Sequence, residues 1–304
     1  MHERPSVLII GAGRIGQAFN YLVKDYVASI EFHDSDTEKY PNQKSLSETA
    51  PLADIIFLCT LSTAVRSVLE KITPLIKPTA LVVSVVKGVE RDTHKTMDVV
   101  IEESLRANAQ WCMIIGPMLA EEITAGNGSA GVVASHHTEA LDRLRKIISP
   151  SDLFLSYTHD VRGAALCGVL KNIFALGLGI ADGLGWGANR KGWLITHALH
   201  EMRDAVTLLG GDATTADGPA GLGDLVATGI SPHSRNRATG HEIITTGIVN
   251  PLSEGAISCA SIRNLFGDHA QTFIFLNTIF KVMLESAPAQ KTFEKILRYE
   301  NPCN

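Results

Sequence analysis

Hydrophobic and polar positions along the chain follow two rhythms. Up to about Tyr157, short apolar runs alternate with amphipathic stretches of helical spacing; beyond it only helical spacing remains. The first rhythm predicts strands at residues 7–10, 29–32, 54–59, 80–85, 112–115, 131–134 and 154–157. Helices fall between them, the first running through Val23 and others at 63–72, 93–105, 120–123 and 138–147. Strands alternating with helices at this spacing predict a parallel, doubly wound α/β sheet. Ligands bind at the carboxyl ends of such strands, where Ser62, Lys87 and Gly116-Pro117 fall.

The second rhythm opens with residues 163–184. Positions 163–181 contain a single charge, Lys171, and are apolar all round, the mark of a buried helix. The run is long enough to span a membrane, but a central lysine costs roughly 2.5–3.5 kcal/mol there, and four glycines and Asp182 weaken that reading further. Two readings of Lys171 remain. Its stem carries the ammonium to the surface, or burial lowers its pKa and fits it for proton transfer near neutrality. A second long helix is predicted at 191–209, with Leu194, Ala198, Met202, Ala205 and Leu209 on one face and Gly210-Gly211 ending it. His197 and His200 on it suit either a metal or an ordinary polar face, with no third ligand in view. Residues 221–225 read as a tight turn carrying one carboxylate, Asp224, with Thr228 just beyond. The segment from Ser231 to Arg237 opens another helix.

Composition narrows the class. The chain has 304 residues, 45 % apolar and 19 % charged, which fits two soluble domains of ordinary size. A net charge of −5 without a long basic run argues against nucleic-acid binding. Cys59, Cys112, Cys167, Cys259 and Cys303 are scattered without C-x-x-C spacing and read as reduced core residues. No signal-peptide pattern precedes the first strand, so a cytoplasmic location is expected.

Two stretches carry ligand chemistry. Gly11-Ala12-Gly13-Arg14-Ile15-Gly16 follows the first strand and opens a helix. Its first two glycines let the chain turn beneath a pyrophosphate, and the third lets the helix pack closely with its N-terminus toward the phosphates. Asp34, eighteen residues past Gly16, stands near the spacing at which a carboxylate holds the ribose of NAD and repels a 2′-phosphate; the alternative is a polar loop with Asp36 and Glu38. In Ser231–Arg237 the serine Ser234 can cap a helix, Arg235 offers a planar fork to phosphate and Asn236 a neutral donor. A solvated basic helix start would look the same.

GAGRIG, VVKGVE (85–90), GPMLAEEI (116–123), GVLKNIFALGLGIADGLGWGANRK (168–191), GLGDLVAT (221–228) and SPHSRNR (231–237) occur in this order. Together they resemble the NAD(P)-dependent glycerol-3-phosphate dehydrogenase family of the bacterial cytosolic kind. The resemblance implies a Rossmann domain over 1–157 and an all-helical domain over 158–304 of the 6-phosphogluconate dehydrogenase C-terminal type. It implies a cofactor, NAD with NADP left open, bound by Gly11, Gly13, Arg14, Ile15, Gly16, Asp34, Lys87, Ala120, Arg235 and Glu254. Lys171 matches the family's general acid/base, with Lys87, Asp224 and Thr228 beside it in the catalytic group. Lys87, Gly116, Lys171, Asp224, Ser234, Arg235 and Asn236 match positions that hold the substrate. The implied reaction is reversible reduction of dihydroxyacetone phosphate to sn-glycerol 3-phosphate, supplying glycerophospholipid synthesis. Expected partners are a small phosphorylated substrate and no nucleic acid, metal or membrane span, with a homodimer left open. A dehydrogenase for another small hydroxy compound and a noncatalytic NAD-binding protein are the alternatives. The chain departs from the family pattern at Met118-Leu119, where Ser-Phe is usual and the serine reaches substrate. Thr60-Leu61-Ser62 lacks a usual proline, and the region between Asp34 and Ala53 and the C-terminus are short.

Overall fold

The computed structural model describes residues 4–148, 151–247 and 253–298; Cys303 lies outside them, as do the first three residues. Seven strands form one sheet: β1 (Ser6–Ile10), β2 (Ser29–His33), β3 (Ile55–Leu58), β4 (Leu81–Ser84), β5 (Gln110–Ile115), β6 (Ser129–Ala134) and β7 (Leu153–Thr158). Their order is β2-β1-β3-β4-β5-β6-β7. The helices that connect them are α1 (Arg14–Val23), α2 (Leu46–Thr49), α3 (Val65–Ile72), α4 (Met97–Ser104), α5 (Ala120–Thr124) and α6 (Thr138–Ile148). Then come α7 (Val161–Gly183), α8 (Ala188–Leu208), α9 (Asp224–Ile230), α10 (Arg235–Thr246), α11 (Glu254–Phe266), α12 (Ile274–Glu285) and α13 (Ala289–Ile296).

Why the strands read as unbroken apolar runs is visible in β1. Val7 and Ile9 face one hydrophobic cluster, under α1 and α6, while Leu8 and Ile10 face another that continues into the helical half. Alternate side chains go to opposite faces and both faces are covered. The strand order reverses between β2-β1 and β3-β4, so the first crossover pair leaves a crevice at the carboxyl ends of β1 and β3.

Three local expectations are corrected. The sheet is parallel only through β5, since β6 runs antiparallel to β5, with Ile114 opposite Val133, and β7 follows β6. The five-residue α5, about 7.5 Å long, cannot carry the chain back along a six-residue strand of about 20 Å, so the chain returns in the opposite sense. The helix expected at 93–105 begins only at Met97. Residues before it close a turn instead, with Glu90 N–H donating to Lys95 O, His94 N–H donating to Glu90 O and Val89 bridging to Thr96. Residues 219–223 form a π-helical turn leading into α9, so Asp224 begins a helix rather than sitting in a tight turn.

Helix α7 organises the second half. Twenty of its 23 residues are buried, and burying side chains such as Leu166, Leu170, Ile173 and Phe174 contributes about 1.5–3 kcal/mol each before entropy is counted. It is long and apolar enough for a membrane span, but its apolar stretch is buried within the protein. Its glycines serve packing. A Cβ on Gly179 would lie 2.0 Å from Arg237 O, and one on Gly240 of α10 would lie 2.0 Å from Leu176 O. The two backbones therefore touch, and α10 is set directly on α7.

Candidate active site

The carboxyl edge of the sheet can be followed strand by strand. At the end of β1, Gly11 adopts φ +103, and a Cβ there would lie 2.5 Å from Cys59 O. Gly16 leaves no room either, because its Cβ would fall 2.0 Å from Gly11 O, whereas nothing lies within 4 Å of one on Gly13. The turn is therefore closed underneath and open above, with Gly13 the N-cap of α1 and no side chain capping it. The free N–H groups of Arg14 and Ile15 are available to an anion. A cavity of about 370 Å³ continues from this turn, lined among others by Asp34, Lys39, Leu61 and Lys71. Asp34 sits just past β2 and is held in place. Its carboxylate accepts from Ala12 N–H at 2.8 Å and Asp36 N–H at 2.9 Å, and Gln43 clamps its backbone through two 2.6 Å hydrogen bonds. The expected ribose position and the glycine turn thus share one cavity.

Next along the edge, beyond β3, Ser62 donates to Glu254 Oε2 at 3.0 Å. Glu254 opens α11, and burial raises its pKa against the pull of Ser62. A Cβ on Gly88 would lie 2.7 Å from that carboxylate, so glycine is what allows the β4 loop, the Ser62 turn and α11 to meet.

Beyond β4 and β5 lies the charged centre. Lys171, buried on α7, donates to Asp224 Oδ1 at 2.9 Å and to Thr228 Oγ1 at 2.8 Å. Thr228 in turn donates to Asp224 Oδ1 at 3.1 Å. Lys87 donates to the other oxygen of Asp224 and to Gly116 O, both at 2.6 Å. One carboxylate thus faces two ammonium groups from two elements. These neighbours hold Asp224 below the usual carboxylate range despite its burial. Lys171 is pushed down to about 8, chiefly by burial, then by the Lys87 charge, with Asp224 opposing. An ammonium has three donors, and two of those on Lys171 are committed, leaving one.

The remaining expected residues divide. Ser234 caps α10, accepting from Arg237 N–H at 3.2 Å. Arg235 is exposed and makes no hydrogen bond or ion pair among the described residues, while its charge acts on Glu254. Asn236 is largely occupied. It donates to Asn172 Oδ1 at 2.8 Å and accepts from Gly255 N–H at 2.9 Å, which leaves one amide hydrogen for a ligand. Ala120 opens α5, where Glu121 pairs with Arg14 of the glycine turn. Met118 is buried in the cluster under α1 and α6. His197 stacks on Trp193 at 3.8 Å and lies edge-on to His200 at 6.5 Å; no group of three or more His, Cys, Asp or Glu side chains suited to a metal occurs among the described residues. Cys59, Cys112, Cys167 and Cys259 are buried and free.

Sequence reasoning passed over Gln43 and Asn172. No local pattern marks Gln43. Asn172 could have been found, since it is the other strongly polar residue in the apolar run around Lys171.

A dinucleotide cradle at one end of a switch-point crevice and a buried lysine–carboxylate centre at the other define a nicotinamide-dependent dehydrogenase built from a Rossmann-type sheet and a helical half. Residues 25–141 match the family described as NAD-dependent glycerol-3-phosphate dehydrogenase N-terminus, and residues 160–294 match its C-terminus. A Streptomyces coelicolor protein named glycerol-3-phosphate dehydrogenase [NAD(P)+] is 34 % identical over 288 residues, covering 91 % of this chain and 84 % of that one. A Fusobacterium nucleatum protein of the same name is 42 % identical over 199 residues, 64 % of this chain and 59 % of that one. The crystal structure of glycerol-3-phosphate dehydrogenase from Coxiella burnetii superposes with a TM-score of 0.86 at 25 % identity, covering 97 % of this chain and 99 % of the other. The chain belongs to the NAD-dependent glycerol-3-phosphate dehydrogenase family.

Proposed function

We propose that the protein reduces dihydroxyacetone phosphate to sn-glycerol 3-phosphate with NADH or NADPH, and runs the reverse reaction. The observation that carries this reading is the buried Lys171, bonded to Asp224 and Thr228 with one donor left, beside the strand ends that end the cofactor crevice. The glycine turn and the cavity fit a dinucleotide, because the backbone is closed below the turn and open above it. Gly11, Gly13, Arg14, Ile15 and Gly16 would cradle its pyrophosphate and Asp34 its adenosine ribose. Glu254, Lys87, Ala120 and Arg235 would lie toward its other end.

A bound reduced nicotinamide supplies the hydride for C2 of the substrate. Charge then grows on the C2 oxygen, and Lys171 Nζ donates a proton to it; in the reverse direction the neutral amine accepts that proton. Asp224 and Thr228 hold the amine in place, and Asp224 offsets its charge. Lys87, fixed by Asp224 and Gly116, sets a second donor at the same edge. The substrate phosphate falls to Arg235, the first turn of α10 at Ser234 and the remaining amide hydrogen of Asn236. That binding orients C2 at the reacting edge.

Family membership and this centre support an enzyme over a noncatalytic dinucleotide binder. We divide the chain at 157/158 into cofactor and substrate domains and place it in the cytoplasm, serving glycerophospholipid synthesis. A homodimer is the assembly we assign, supported by β7, which ends the sheet with Phe154 74 % exposed on it.

The test follows NADH absorbance with dihydroxyacetone phosphate and with dihydroxyacetone. The phosphorylated ketone should react far faster. Arg235→Ala removes a charge-assisted contact of about 1.5–3 kcal/mol and should lower kcat/KM for it roughly 10- to 100-fold, shrinking the preference. Equal rates for the two ketones in the wild type would sink the phosphate assignment.

A further inference from the structure

We propose that His94 is a positioning residue that seats the Lys87 loop on α11 and so holds the nicotinamide end of the cofactor site together. The inference rests on the reading above of where the cofactor lies. Lys87 and Gly88 leave β4 at the charged centre, and the loop from Gly88 to Thr96 then runs against α11. Glu254, Ser261 and Asn264 stand seven and ten residues apart from the first on that helix, and so share a face. Glu254 meets the loop at Gly88, beside Ser62. Two turns further on, Ser261 and Asn264 meet it at His94.

That second meeting is closely specified. His94 Nδ1 lies 3.0 Å from Ser261 Oγ, and Asn264 Nδ2 lies 3.3 Å from His94 Nε2. Both ring nitrogens therefore have a partner on α11. His94 also has φ 59, in the left-handed region that glycine occupies freely and side-chain-bearing residues avoid. A plain turn would be served better by glycine. A histidine there, bonded through both ring nitrogens to another element, has its side chain as the reason for its place.

The other cross-links show what the loop connects. Glu90 is held by Arg66 at 2.7 Å within the sheet half, and Thr96 receives a hydrogen bond from Arg162 of α7 at the loop's far end. Between these anchors His94 fastens the loop to α11, the helix whose first residue is Glu254. Releasing it loosens Gly88 from the Ser62–Glu254 pair, while Arg235 on α10 and the phosphate end are untouched.

His94→Gly tests this, because glycine keeps the left-handed turn and removes only the ring. Expected are an unchanged or higher Tm, an NADH Kd by fluorescence titration raised about 5- to 20-fold, and a KM for dihydroxyacetone phosphate within about twofold of wild type. Asn264→Ala should weaken NADH binding in the same direction, and the double variant should be no worse than His94→Gly alone, since the contact that Asn264→Ala removes is already lost with the ring. An NADH Kd within twofold of wild type overturns the proposal, as does a loss that follows a fall in Tm or full additivity of the two substitutions. A wild type that binds NADH yet leaves dihydroxyacetone phosphate unreduced overturns the proposed reaction and not this comparison.

Discussion

The pH dependence of the two directions tests the role of Lys171 most directly. Burial and Lys87 bring its pKa from 10.5 to about 8, so the ammonium is disfavoured by a few kcal/mol relative to a free lysine, at about 1.36 kcal/mol per unit. At pH 7 about one molecule in ten carries the neutral amine, against about one in three thousand for an unperturbed lysine. Oxidation of glycerol 3-phosphate needs that amine as acceptor. Its kcat/KM should therefore rise about tenfold per pH unit and level off above pH ~8. Reduction needs the ammonium, so its kcat/KM should be flat below pH ~8 and fall above it. Two variants move the limb in opposite senses. Asp224→Asn removes the attraction that holds the proton and should shift it down, whereas Lys87→Met removes a repulsion and should shift it up. The same residue affects stability. Its folded pKa is below its unfolded one, so between pH ~8 and ~10.5 the unfolded chain binds more protons and stability rises with pH; Lys171→Met should abolish that rise in urea titrations. Limbs of the same sign in both directions, or an upward shift in Asp224→Asn, would remove Lys171 from proton transfer.

Lys171→Met should also lower kcat roughly 10²–10⁴-fold at fixed pH while NADH still binds by fluorescence titration. The fold should survive, because Asp224 keeps Lys87 and Thr228 as partners and is not left as an unpaired buried charge. The wild type should prefer NADH to NADPH, since a 2′-phosphate would meet the Asp34 carboxylate. Asp34→Asn should narrow or invert the ratio of kcat/KM values, because Lys39 and Lys71 then leave the cavity wall positive. Equal use of both cofactors by the wild type would take Asp34 away from the ribose.

How much of this could be read along the chain follows from what kind of contact each feature is. The glycine turn and Asp34 are legible because strand, turn and helix are contiguous, and a cradle for pyrophosphate is a local object. Lys171 is legible because a charge within an apolar run is an anomaly that the local pattern itself displays. Its neighbours are different. Asp224 lies 53 residues from Lys171 and 137 from Lys87, and Ser62 lies 192 from Glu254. No periodicity states such distances. The first arises because α9 is packed on α7, and the last because α11 lies so close to α7 that a Cβ on Gly255 would strike Asn172 O.

Contacts that sequence reasoning did not foresee share that origin. Asn236, read beside Ser234 and Arg235 as a phosphate donor, is also tied by the α7–α11 packing to Asn172 and Gly255, which leaves one amide hydrogen for a ligand. Glu201 of α8 is buried and accepts from Phe275 and Leu276 N–H at the start of α12, with burial pushing it up to about 7. The reversal at β6 is hidden for a related reason. Apolar runs of equal length mark β5 and β6 equally well, and the direction of the second depends on a five-residue helix being too short to cross back. Chemistry carried by one residue against its own local pattern can be found in the sequence. Chemistry made by two distant residues meeting becomes visible only once the glycine contacts have brought the helices together.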